Sequence, residues 1–283
     1  MFFVAVRFSL AALVILPLSF RRLKGIPTSI IMQSILLGIL LFFSFAFQTA
    51  GLEFTSATKS AFITGSTVIF IPVFQILIEK RKPTQSNIIG SVIVLIGLVF
   101  LSSKNSSIGS LFYEIGNDFN YGDFLTLLCA FVFACQVVYL DKVSKKIDFI
   151  ALVFIQIITT SILALSVSAL LSITNVETIH INLTGNLILG LLYTSLLATI
   201  AALMIQARYQ KKISPTKAGI IYSFEPVFAA IFAYYMLSER ISMNGVIGCI
   251  LIFSGLIISE VLDIERILKL GIRPSQNEDD VLE

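Results

Sequence analysis

Charge is what this sequence has least of. Only 13% of its 283 residues are Asp, Glu, Lys or Arg, about half the share usual in soluble domains. Side chains that carry chemistry are also few. The single histidine, His180, excludes a His-rich metal centre. The three cysteines, Cys129, Cys135 and Cys249, fall inside apolar runs, where a structural disulfide is out of place, and they read as small packing residues. No G-x4-G-K-[ST] phosphate loop occurs, so the chain has no ATPase motor of its own. The lack of clustered acids in the apolar runs and of a nucleophile beside a base argues against an intramembrane enzyme. No catalytic residue, metal or cofactor is expected. The net charge of +3 belongs to loops and does not point to nucleic acid.

What the chain has is long apolar runs: 57% of its residues are hydrophobic. Nine runs are long enough to cross a hydrocarbon core about 30 Å thick: 2–20, 29–51, 57–78, 84–102, 122–140, 149–172, 184–207, 215–238 and 242–262. In lipid the backbone must satisfy its own polar groups, as helices or a closed barrel. Residues 88–96 do not alternate as barrel strands do, so helices are expected and the class is an all-α polytopic membrane protein.

One segment occurs twice. Residues 56–102 align without gaps to 214–260, pairing Ser56 with Ser214, Thr58 with Thr216, Lys59 with Lys217, Gly90 with Gly248 and Gly97 with Gly255. A duplicated membrane unit is the signature of a carrier whose halves rock about a site between them. Loop charges orient it, because Lys and Arg collect on the cytoplasmic side. Sixteen fall on one side, from Arg21 to Arg273, against Arg7, Lys59, Lys104 and Arg240 on the other. The C-terminus is therefore expected inside. Lys59 falls outside and Lys217 inside, so the repeats are inverted. Expected boundaries are a four-span first repeat at 1–102, an external loop at 103–121, a five-span second repeat at 122–262 and a disordered cytoplasmic tail at 263–283. Arg7 within the first run, and no small-residue cleavage site after it, argue against a signal peptide.

Several stretches carry a resemblance. They are 7–13 (Arg-Phe-Ser-Leu-Ala-Ala-Leu), 55–65 leading to Pro72, 122–127 leading to Ala134, 223–228 (Ser-Phe-Glu-Pro-Val-Phe), and Ser238-Glu239-Arg240 before Gly248. Together they resemble the EamA-type permeases of the drug/metabolite transporter superfamily, over nearly the whole chain to about residue 262. The resemblance implies a ten-helix carrier of two inverted five-helix repeats. The family's first helix, which lines the central cavity, has no counterpart here. It further implies a plasma-membrane permease or exporter of a small organic metabolite, such as an amino acid or drug-like solute. The rival expectation is a non-transporting or degenerate membrane protein lacking that helix. Expected partners are the solute, the bilayer and a coupling proton or sodium ion, with a homo-oligomer left open.

Polar groups at membrane depth are the binding candidates. Ser60, Thr64, Thr67 and Gln75 share one helical face; they line a cavity or serve helix packing. Glu225-Pro226 lies inside its run, and Pro226 leaves the Tyr222 carbonyl without its helical donor. Glu225 binds a cation or proton, or pairs with a base such as Lys217. Gln48, Gln136 and Tyr139 are further candidates, Gln48 and Gln136 because the resemblance places their spans at the central site. Gln156 and Gln206 read as helix bridges. Gly90, Gly97, Gly248 and Gly255, at seven-residue spacing, read as close helix contacts.

Overall fold

The computed structural model describes residues 1–55, 57–102, 119–174, 177, 184–237 and 242–269, and these hold helices and no strand. The elements are α1 (Phe2–Ser19), α2 (Thr28–Gly51), α3 (Ala57–Gly65) and α4 (Thr67–Phe74), which widens into a π-turn (Gln75–Glu79). Next come α5 (Gln85–Ser102), α6 (Tyr121–Ser144), α7 (Phe149–Ile173) and α8 (Gly185–Ser195). A second π-turn (Leu196–Ala201) joins α8 to α9 (Ala202–Tyr209), followed by α10 (Pro215–Tyr222), α11 (Glu225–Leu237) and α12 (Met243–Lys269).

Among the described residues, seven helical stretches are long and apolar enough to cross a membrane: α1, α2, α3–α4 with its π-turn, α6, α7, α8–α9 and α12. The apolar helix at Gln85–Leu101, in α5, falls just short. The run expected at 215–238 is not one helix, since it divides into α10 and α11. Helix α12 continues to Lys269, past the tail boundary expected after Leu262. The outer loop at 103–118, His180 and the residues from 270 onward lie outside the described residues. Leu13, Phe20, Leu77, Leu189 and Tyr235 each expose well over half their surface. Such a belt is stable against lipid tails and not against water. This is a multi-pass membrane protein.

Local sequence sets where the helices start. Asn120 and Asp123 form a capping box at the head of α6, and Asp148 caps α7. Ser214 caps α10, with Pro215 in the first turn, where its missing N–H costs nothing. The largest apolar core joins α1, α2 and α7 through Phe8, Ile15, Leu37, Leu41, Leu152 and Ile157.

Helices α5 and α12 make the most extensive pairing, and glycine permits it. A Cβ on Gly90 would stand 2.7 Å from the Gly255 carbonyl oxygen, and one on Gly97 2.9 Å from that of Gly248. The backbones touch where any side chain would hold them apart. The contact is reciprocal under the 158-residue offset, since Gly90 meets the counterpart of Gly97 and Gly97 meets the counterpart of Gly90.

Arg7 is not a loop charge. It lies within α1 and donates through Nε to the Thr194 carbonyl at 3.2 Å and Thr199 Oγ1 at 2.7 Å, and through Nη2 to the Ala198 carbonyl at 3.1 Å. A π-turn leaves carbonyls without their usual helical donors, and the guanidinium occupies that gap at Leu196–Ala201, over the Phe45 ring.

Candidate functional site

Two spans break at matching positions. The first copy breaks at Ser66, between α3 and α4, and the second at Ser223–Phe224, between α10 and α11; the offset carries 66 onto 224. The causes differ. At the first break the Ser66 and Thr67 hydroxyls donate back to the carbonyls of Ile63 and Thr64, local bonds that bend a helix. At the second, Ser223 Oγ donates to the Gly219 carbonyl and Phe224 N to that of Ile221. Pro226 has no N–H to offer Tyr222.

A cavity of about 240 Å³ lies against both breaks. Gln48 and Leu52 line it from α2 and the turn beyond, Ser60, Ala61, Thr64 and Gly65 from α3, and Thr67 from α4. Phe133 of α6, Gly219 and Tyr222 of α10, Ser223, Glu225 and Pro226 complete the wall. Glu225 is the only charged side chain in that lining. No described hydrogen bond or ion pair reaches its carboxylate, and Lys217, its expected partner, instead binds Glu260 at 2.6 Å. Thr64 Oγ1 is buried without a partner in the same wall. The Tyr222 hydroxyl donates to Gln210 Oε1 at 2.9 Å, and Gln210 Nε2 donates to the Val137 carbonyl at 2.5 Å, which fixes the tyrosine edge of the cavity to α6.

Of the candidates named from sequence, Gln48, Ser60, Thr64, Thr67, Tyr222 and Glu225 meet at this cavity. Gln75, Gln136 and Tyr139 do not. Gln75 Oε1 accepts from Thr216 N at 3.2 Å and Thr216 Oγ1 at 2.6 Å, tying the π-turn to α10. Gln136 Nε2 donates to Gln156 Oε1 at 3.3 Å in a buried bridge between α6 and α7. Tyr139 packs against the core of α1, α2 and α7. Phe133, Ala61, Gly65 and Gly219 have no polar atom to mark them in the sequence. Their signal is proximity to the duplicated break.

Ion pairs tie the ends of the two broken spans. At the head of α3, Lys59 Nζ meets Asp123 Oδ2 at 2.6 Å, and Asp123 is fully buried. Thr55 Oγ1 donates to its other oxygen at 2.6 Å. Lys217, the counterpart of Lys59, is the lysine that holds Glu260 on α12. Beside it Asn87 donates to Ser214 Oγ at 3.1 Å and accepts from Ser259 Oγ at 2.6 Å.

Known proteins resemble this chain in sequence and in fold. The EamA-like transporter family matches residues 1–103 and 120–260. A protein named an uncharacterized transporter from Archaeoglobus fulgidus is 31% identical over 256 residues, 90% of this chain and 75% of its own length. The uncharacterized transporter YoaV of Bacillus subtilis is 23% identical, over 74% of this chain and 68% of its own. A protein of known crystal structure superposes with a TM-score of 0.73 at 15% identity, covering 93% of this chain and 88% of that one, which shows a shared fold. With the family matched along nearly its whole length, the chain belongs to the EamA-like transporter family.

Proposed function

We propose that this protein is a secondary carrier of a small organic solute, an amino acid or a related metabolite, and that the cavity at the two helix breaks is its binding site. The observation that carries the reading is the coincidence of three things at one place. Two spans break at positions 158 residues apart, the breaks face one cavity, and that cavity holds a carboxylate with no described protein partner. Broken spans at the interface of two repeats expose backbone groups and helix ends to a solute within the membrane.

In this reading α3–α4 and α10–α11 are two of nine spans, and the halves, 1–102 and 122–262, are inverted repeats. The reciprocal glycine contact between α5 and α12 supports that symmetry, because a two-fold axis makes each copy meet the other's counterpart. The charge bias supports a cytoplasmic C-terminus, and the membrane of this reading is the plasma membrane. Rocking of the halves carries solute across, coupled to a proton or sodium ion, with a homo-oligomer compatible with the same geometry.

The test is transport by the purified full chain in proteoliposomes loaded with candidate amino acids and related metabolites. A proton or sodium gradient is expected to drive solute movement without nucleotide. Movement that requires ATP in the purified system would reject the carrier reading.

A further inference from the structure

Two carboxyl groups meet away from the cavity, where the Gln75–Glu79 π-turn packs on α6. Phe74 and Ile78 pack with Ala134, Val137 and Val138, and Glu79 comes within interaction distance of Asp141. Asp141 is 2% exposed. Its Oδ2 receives Lys145 Nζ at 2.6 Å. Its Oδ1 is buried and has no hydrogen-bond partner. The charged groups that act on Glu79 are Asp141 and Lys145 of α6 and Arg81, just beyond the turn.

Ionised carboxylates only accept hydrogen bonds, so Glu79 and Asp141 cannot bond while both are charged. A proton on Glu79 turns the approach into a charge-assisted O–H···O⁻ bond, and Asp141 Oδ1 is the acceptor left without a partner. Lys145 offsets one of the two negative charges and leaves the repulsion between the acids in place. Two carboxylates, one already taken by a lysine, supply too few oxygens to hold a metal ion, and no group of three metal-binding side chains occurs among the described residues. The fitting ligand is a proton.

We propose that Glu79 and Asp141 form a proton-binding site, at the far end of the cavity-lining span from Lys59. The turn that carries Glu79 also carries Gln75, whose amide holds Thr216 of α10. Proton occupancy therefore acts on the joint between the two broken spans. The use of this proton in coupling rests on the carrier reading above; the site itself does not.

Infrared spectroscopy of the purified full chain, titrated with pH, tests it. Glu225→Gln serves as the background, so that the cavity acid contributes nothing. A protonated-carboxyl C=O band is expected to persist above the range in which ordinary carboxylates ionise, to fade as pH rises further, and to be absent from that higher range after Glu79→Gln. The glutamine amide can donate to Asp141 Oδ1 in place of the proton, so this variant keeps its fold. If it does not, Asp141→Asn must move the titration of the same band to lower pH, because it removes the neighbouring negative charge. A native state that holds one more proton than the unfolded chain loses stability as pH rises through the titration. The melting temperature should therefore fall across that range in the parent and stay flat in Glu79→Gln. A titrating band that neither substitution changes, or no such band at all, overturns the proposal. A band that titrates as expected, together with a parent chain with Glu225 intact that moves no solute, leaves the site standing and rejects the carrier reading alone.

Discussion

Glu225 faces the cavity with no described cation beside it, whereas Asp123 is buried under Lys59, Thr55 and the Asn120 backbone. The two acids should therefore behave oppositely. Glu225→Gln strands no buried charge, so its melting in detergent should stay within about 0.5 kcal/mol of the parent, while transport is lost or changes selectivity. Asp123→Ala leaves Lys59 without its buried partner and should cost on the order of 3–5 kcal/mol. Melting and transport measured on one preparation of each variant check both. A Glu225→Gln protein that transports normally would remove this carboxylate from the site. Ser60, Thr64 and Thr67 were legible in the sequence because a helical period puts them on one stripe. Gln75 belongs to the same stripe on paper. The break at Ser66 and the π-turn after Phe74 each shift the helical phase, and Gln75 turns to Thr216 instead. Gln136 and Phe133 share a helix that is apolar on most sides, so no period tells which of them faces the cavity.

At the scale of elements, the glycine spacing on α5 and α12 was readable because close packing in lipid depends on small residues. The division of the run at 215–238 was not. A proline inside a membrane helix is commonly absorbed, and Pro226 alone does not announce a break at Ser223. The break becomes apparent only beside its counterpart at Ser66, where no proline is responsible. The glycine contact gives a sharp contrast. Gly97→Leu would drive a side chain into Ile252 and the Gly248 backbone and should cost about 1–3 kcal/mol or more, measured by melting in detergent. Gly190→Ala meets nothing within 4 Å and should be neutral or stabilise α8 by up to about 1 kcal/mol. Equal melting of the two variants would contradict the α5–α12 pairing described here.

Over the whole molecule, the helical membrane class followed from the length of the apolar runs, and the repeat from one 158-residue offset. Six of the polar residues at the cavity were legible, but their meeting at one place was not, because the cavity forms from two breaks that no single segment specifies. In the carrier proposed above, the Lys59–Asp123 and Lys217–Glu260 pairs are the locks at the two ends of the cavity, and releasing one while keeping the other would expose it to one side at a time. The most direct measurement of that claim is the accessibility of a single cysteine at Thr64, in a protein whose native cysteines are replaced, to an impermeant thiol reagent. The reagent is applied to intact cells and to inverted vesicles. Labelling is expected from both faces. After a short cross-link joins cysteines at positions 55 and 120, which fixes the Lys59–Asp123 end closed, labelling should persist from the cytoplasmic face and vanish from the outside. Labelling from both faces with the cross-link in place, or from neither face without it, would contradict alternating access through this cavity.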